Sequence, residues 1–478
     1  MIVWLSRLLP AYRASCARAS YRLLVVVIAF AAPACIDPRV AEIYGPTSLR
    51  SVKVPFQMVR LDNGLHVLLN EDHRVPVVAV DVTYGVGWSD DPPDKPSLAH
   101  TFEHLMFQGS AHIAGNGHFQ HLERAGTARV GGMTDADRTE YFETVPANQI
   151  ELALWLESDR MGFLVDSIDQ TKVDRVRPVI DNESRQRGDN AIGGHVNDFV
   201  LAAVFPEGHP YHTKGAYNAD APRITVEDAK QFGRSYYLPN NAALALSGDF
   251  DPATAVVLVD RYFGSLAPGP APTHVPGKSV SLASSIRLEV AAAVGREEVL
   301  LAWPTPALGQ AGDAELDVAA WLFNSGFLRH ILMEEKSIAF TAKAHQYSFQ
   351  RAGLFVIRIV LRPNSTAETA IKTLDERFRI LRGHSINPSW STLATREIAT
   401  DFLQSAQTVA GRASGLGQFD ILMHKPGYLW QEIDRYDAIG PSDVRDAIVR
   451  YLPEQKRVIV VVHADPSAPV GGRLVKNP

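Results

Sequence analysis

The sequence is nearly free of cysteine. Its 478 residues include two, Cys16 and Cys35, both close to the N-terminus. Removal of a leader ahead of Cys35 would leave no pair for an internal disulfide. The folded chain must then stand on its apolar cores, and a metal site in it must be built from nitrogen and oxygen ligands rather than thiolates. Long apolar runs are missing too. The stretch "LLVVVIAFAA" at 23–32 falls well short of the roughly 20 residues that a membrane-spanning helix needs. A surplus of basic charge is likewise absent. The 47 Lys and Arg stand against 53 Asp and Glu, a net charge of −6 that offers no footing for nucleic acid.

What is present at the N-terminus has the outline of an export signal. Arg7, Arg13, Arg18 and Arg22, with no acid among them, precede the apolar run, and small residues follow it. "APAC" at 32–35 is similar to a bacterial lipoprotein cleavage site, so residues 1–35 read as a signal segment of either the plain or the lipidated type. The expected location is the periplasm or cell envelope of a bacterium, with membrane attachment only through such a lipid. Residues 36–52 read as an N-terminal extension.

The remainder is long enough for two domains. In residues 53–265, "FQMVRLDNGLHVLLNED" reads as two β runs around the turn signal Asp62-Asn63-Gly64, and "VPVVAVDVTYGVG", "TEYFETVP" and "NNAALALSGDF" read as strands. "SLAHTFEHLMFQG" and "NQIELALWLESDRMGFL" read as helices, the first with Ser97 placed to cap it and Gly109 to end it. "LAPGPAPTHVPGKS", 266–279, is Pro/Gly-rich, lacks periodicity and reads as a linker. Residues 280–470 repeat the order, with strands "IRLEV" and "EEVLLAW", a helix over about 313–336, the strand "AGLFVIRIVL", helices, and the strand "RVIVVVHAD". The expected class is α+β: two similar domains related by duplication, each an antiparallel sheet covered by helices on one face. Trp155 and Trp321 fall on apolar helix faces and read as core.

The chemistry concentrates in "HTFEH". His100 and His104 are one helical turn apart, with Cβ atoms about 5–6 Å from each other, so both imidazoles can reach one ion. Glu103 lies beside them, placed to take a proton from a metal-bound water without necessarily binding the metal. A catalytic zinc needs a third protein ligand. "VDRVRPVIDNESRQR", 173–187, offers Asp181 and Glu183, which helical phase separates by about 200°. Val176, Val179 and Ile180 define an apolar stripe that Glu183 continues. Glu183 is therefore the preferred ligand and Asp181 the alternative, with Pro178 marking the first turn or a kink. An ion-pair role for Glu183 and a solvated or core role for the histidine pair are the competing readings.

These stretches resemble the insulinase/pitrilysin-like zinc metallopeptidases, the inverzincins with motif H-x-x-E-H, and in particular the short bacterial two-domain chains related to the mitochondrial processing peptidase. "LAHTFEHLMFQGS", "GHFQHLERAGT", "DRTEYFETVPANQIELALWLESDRMG", "VIDNESRQ", "EGHPYH" and "SYYLPNNAALALSGDFDP" carry the resemblance in order. It implies one zinc per chain held by His100, His104 and Glu183, with Glu103 as general base. It also implies cleavage of peptides or unfolded segments in a closed chamber formed by a dimer. Gly131, Thr134, Asp137, Arg138 and Tyr141 are implied near the substrate, and His209 and Tyr211 fall in family-like stretches near the same cleft. His121 and His212 read as surface or core histidines.

Three departures bear on activity. Gly131 stands where the family has Asn, and Val176 where it often has a supporting Glu. Met333 and Phe340 stand where it has an Arg and a Tyr that steady the reacting carbonyl. A homologous partner chain supplying the Arg/Tyr pair is the implied remedy. The alternative to a zinc endopeptidase is a metal-binding peptide-binding or scaffold subunit of the same family.

Overall fold

The computed structural model describes residues 55–184, 196–213, 223–469 and 472–475. The signal segment (1–35) and the extension (36–52) lie outside the described residues. The first half begins with β1 (Gln57–Arg60), β2 (His66–Glu71) and β3 (Val77–Tyr84), then helices α1 (Leu98–Leu105) and α2 (Gly117–Arg124). The hairpin of β4 (Arg129–Thr134) and β5 (Thr139–Pro146) comes next, then α3 (Ile150–Phe163), α4 (Gln170–Ser184), α5 (Val196–Val204) and α6 (Val226–Tyr236). Strand β6 (Ala242–Gly248) and helix α7 (Pro252–Phe263) close it.

Residues 264–285 contain neither helix nor strand. The second half opens with β7 (Ile286–Ala292), β8 (Glu298–Thr305) and α8 (Asp313–Leu322), then the hairpin of β9 (Ala339–Ser348) and β10 (Gly353–Leu361). Helices α9 (Ala367–Gly383), α10 (Pro388–Gln407), α11 (Val409–Met423), α12 (Tyr428–Asp437) and α13 (Pro441–Tyr451) lead to β11 (Val458–Ala464) and the short β12 (Arg473–Leu474). No helix among the described residues is long and apolar enough to cross a membrane.

The two sheets, β1-β2-β6-β3-β5-β4 and β12-β7-β11-β8-β10-β9, share the order of five strands, and the sixth, an edge strand, comes from the start of the first half (β1) but the end of the second (β12). The class is α+β with two similar halves, as expected, but the sheets are mixed rather than wholly antiparallel. Strand β6 inserts between β2 and β3, which run in opposite senses, so it must be parallel to one of them, and it is parallel to β2. Strand β11 repeats this beside β7 and β8.

Alternation along the strands explains the layers. In β6, Leu244 and Leu246 face a core with Val78, Val80 and Val82 of β3 and Phe102, Leu105 and Leu154 of the overlying helices. The smaller Ala243 and Ala245 face the other way. With Leu68 and Ala79 they meet Ala413, Leu416 and Phe419 of α11, a helix from the second half. The approach is close: a Cβ on Gly417 would lie 2.7 Å from Thr83 Oγ1. The second sheet reciprocates, since Leu300, Ala302, Val356 and Val460 receive Val196, Val200 and Val204 of α5. Each sheet is thus covered on both faces, one by its own helices and one by a helix lent across the linker. The expectation of a single covered face fails because small residues on the second face leave room for that exchange.

A buried polar network ties the halves together. Asp137, in the β4–β5 turn, accepts hydrogen bonds from Tyr211 Oη (2.8 Å), Gln350 N–H (2.9 Å) and Arg351 Nη1 (2.8 Å). Removing one partner of such a buried pair strands the other. Asp137→Ala is expected to lower unfolding stability by about 3–5 kcal/mol, read as a drop in urea midpoint. A loss below about 1 kcal/mol would show that the network is not holding the halves.

Candidate metal centre

Helix α1 buries Leu98, Ala99, Phe102 and Leu105 in the first core, which turns His100 and His104 to its partly exposed side. Its start is held by Asp91 and not by the Ser97 side chain. The Asp91 carboxylate accepts from the backbone N–H groups of Ser97 and Ala99, both at 2.7 Å. Ser97 has a left-handed backbone (φ 68°) and makes no capping bond, whereas capping side chains work from an extended residue. The helix stops at Leu105, before Gly109. Burial pushes the Asp91 carboxyl up to about 8 against the lowering effect of those N–H donors.

His100 Nε2 and His104 Nε2 are 3.2 Å apart. Glu183 Oε2 lies 3.4 Å from the first and 3.7 Å from the second. Tetrahedral bonds of about 2.0–2.1 Å would place ligand atoms about 3.3–3.4 Å from one another, so two imidazoles and a carboxylate in this triangle fit a zinc ion. Helix α4 brings Glu183 there by packing Val173, Val176 and Ile180 on the core. Val179 is 45% exposed, so it is not part of the stripe, which runs 173–176–180 and reaches Glu183 one turn later. Asp181 is exposed. Pro178 sits in the middle of α4, neither in its first turn nor at a break. Val176, where the family often carries Glu, is core.

Glu103 is buried beside the triangle. Its Oε2 accepts a 2.6 Å hydrogen bond from Thr134 Oγ1 at the end of β4. Gly132, two residues earlier on the same face, lies under it: a Cβ there would sit 3.1 Å from Glu103 Cγ and 3.3 Å from Phe107 Cε2. Gly132→Ala must therefore shift Glu103 by a few tenths of an ångström. It is expected to lower kcat by about 10–100-fold with the melting temperature and metal content retained. Unchanged kcat would mean that the close approach has no bearing on the carboxylate's aim. Gly131 faces the other side, where the ring of Phe142, its cross-strand partner, covers it, and a Cβ would lie 3.0 Å from Phe142 Cζ.

The other residues expected near the substrate lie buried and hydrogen-bonded or packed within the fold. Tyr141 is fully buried, with Arg160 over its ring at 4.4 Å, so it has no surface to offer a substrate. Arg138 is buried between Glu140 and Asp135, and Asp137 belongs to the network between the halves. His209 and Tyr211 are buried, His209 against Lys278 O and Tyr211 on Asp137. His121 packs near Trp155, and His212 Nδ1 lies 2.8 Å from Phe205 O. Trp155 and Trp321 pack against the two cores as expected. Met333 packs on the second core, whereas Phe340 is 54% exposed.

Asp91 and Gly132 were not singled out from the sequence, although the Gly-Gly doublet at 131–132 is a visible sign of close backbone approach. A second group, His118, Glu143 and Glu157, also brings potential ligand atoms together. Both Glu157 oxygens are engaged by Arg160, however, which makes this a charge-compensated interior cluster. Burial raises the Glu143 carboxyl and lowers the His118 imidazole.

Residues 66–210 match the family described as Insulinase (Peptidase family M16), and residues 223–388 match the Peptidase M16 inactive domain. A curated relative, the zinc protease PqqE of Helicobacter pylori, is 27% identical over 372 residues, covering 74% of this chain and 82% of that one. The crystal structure of a protease from Helicobacter pylori superposes with a TM-score of 0.78 at 23% identity, over 86% of this chain and all of that one. The first half of the periplasmic protease PqqL from Escherichia coli gives 0.65 at 17% identity, over 87% and 92% of the two chains.

Proposed function

The chain belongs to the insulinase family of peptidases, family M16, and on that premise we propose that it is a zinc-dependent endopeptidase. The observation that carries this reading is the triangle of His100, His104 and Glu183 donors, 3.2 to 3.7 Å on a side, with the Glu103 carboxylate fixed beside it by Thr134. The three donors would hold the ion, which when bound supplies Lewis acidity toward a carbonyl and lowers the pKa of a water. Glu103 would take the proton of the attacking water and deliver it to the leaving amine. Its burial beside Gly132 and its bond to Thr134 keep it in one position for both transfers.

Strand β4 ends the first sheet and has β5 on one side only. Its outer edge would accept an extended peptide by strand addition, next to Glu103. With Met333 and Phe340 in place of hydrogen-bond donors, we infer that a homologous chain carrying Arg and Tyr completes the site in a dimer. The basic and apolar N-terminus supports action after export, in the periplasm or envelope.

The test is incubation of the purified chain, alone and with such a homologue, with a peptide mixture. Cleavage that stops with chelator and returns with zinc is expected. Zinc binding without cleavage under either condition would instead favour a non-catalytic, peptide-binding subunit.

A further inference from the structure

The β4–β5 turn and the β9–β10 turn meet at the Asp137–Arg351 network, and beside it lies a cavity of about 480 Å³. Its walls come from separate parts of the fold: Trp88, Leu201 of α5, Phe349 and Leu354 of the second hairpin, and Leu422 of α11. The rings of Trp88 and Phe349 stand edge to face at 5.9 Å. The charged groups at its rim are already engaged. Asp137 is bonded to Tyr211 and Arg351, and Arg138 lies between Asp135 and Glu140. Uncharged polar groups of Asn197, Gln346, Ser348 and Gln418 also line it, and with its charged groups paired the larger aromatic and aliphatic share favours an apolar side chain over a charged one.

Thr134 gives the cavity its place in the reaction. It lines the cavity and donates to Glu103. Gly132 and Thr134 are two apart on one strand and so face the same way. A peptide paired to the outer edge of β4 with its reacting bond opposite Gly132 and Glu103 would carry the residue two positions along by about 6–7 Å, to Thr134 and the cavity mouth.

We propose that this cavity is a specificity subsite that takes one large apolar or aromatic side chain of the peptide, two or three residues from the bond cleaved. The proposal rests on the endopeptidase reading. It is tested with the full zinc-loaded chain and a peptide series in which Phe is walked through an Ala background. Phe at one position, two or three residues from the cleaved bond, is expected to raise kcat/KM over Ala by about tenfold or more. Leu201→Trp and Leu422→Trp, filling the cavity from different walls, should each collapse that Phe/Ala ratio toward about one. The ratio is internal to each protein, so a fraction of misfolded chain cancels.

A ratio near one in the parent, or one that survives both substitutions, overturns the subsite while leaving the peptidase standing. If no peptide is cleaved either by the chain alone or with the homologous chain that supplies Arg and Tyr, the endopeptidase reading fails, and photocrosslinking still decides the subsite. The same series carrying p-benzoylphenylalanine should label Trp88, Phe349 or Leu354 from one peptide position. Labelling confined to β4, or no labelling, overturns it.

Discussion

Glu103→Gln is expected to lower kcat about 10³–10⁴-fold while the protein still binds one zinc per chain, because a general acid–base group contributes at this scale. The substitution is chosen for what it preserves. The amide oxygen of Gln can still accept the Thr134 hydroxyl proton, and the side chain has the same shape above Gly132, where there is no spare room. What it loses is the ability to take a proton. The metal-binding triangle does not include Glu103, so zinc content measured on the same sample should be unchanged. Substantial turnover by the Gln variant would remove Glu103 from the proton-transfer role. Loss of zinc along with activity would mean that Glu103 helps to bind the metal rather than acting beside it.

The parts of this site that could be read from the sequence are the local ones. The spacing of His100 and His104 is a property of one helix, and so is the phase difference between Asp181 and Glu183. Val179 falls outside the stripe that sets that phase, but Val176 and Ile180 lie on the buried side and suffice to point to Glu183. The parts that were hidden depend on residues distant in sequence. Nothing near Leu98 indicates that Asp91 rather than Ser97 receives the first N–H groups of the helix. Nothing near Tyr141 separates a ring that lines a cleft from one that is packed under Arg160. Strand β9 is hard to see in the sequence, since its buried residues Ala339, Ala342 and Ala344 are small and the period of two breaks between the first and second of them, where the pairing with β10 shifts register. The lending of α11 to the first sheet is written only in the pairing of small strand residues, Ala243 and Ala245, with a helix more than 150 positions away. The linker reads as a boundary between two domains, and the packing of α5 and α11 crosses it.

Glu183→Ala and His100→Ala are each expected to remove stoichiometric zinc, whereas Asp181→Ala should keep it. The contrast follows from geometry. Glu183 Oε2 stands 3.4 Å and 3.7 Å from the two imidazole nitrogens, and Asp181, two residues back on the same helix, projects to the exposed side. Taking away one of three protein ligands should weaken binding well beyond the roughly 10–100-fold that follows loss of a group merely supporting a ligand. Thermal unfolding gives a readout independent of catalysis. Zinc at about 1,000 times its dissociation constant adds about 4 kcal/mol to folded-state stability, so chelator should lower the melting temperature of the parent and of Asp181→Ala. The His100 and Glu183 variants should melt at the same temperature with and without chelator. If Asp181→Ala loses zinc and Glu183→Ala retains it, the third ligand has been assigned to the wrong face of α4. If all three variants retain it at full stoichiometry, the ion is bound elsewhere and the triangle is an ordinary pairing of a carboxylate with two histidines.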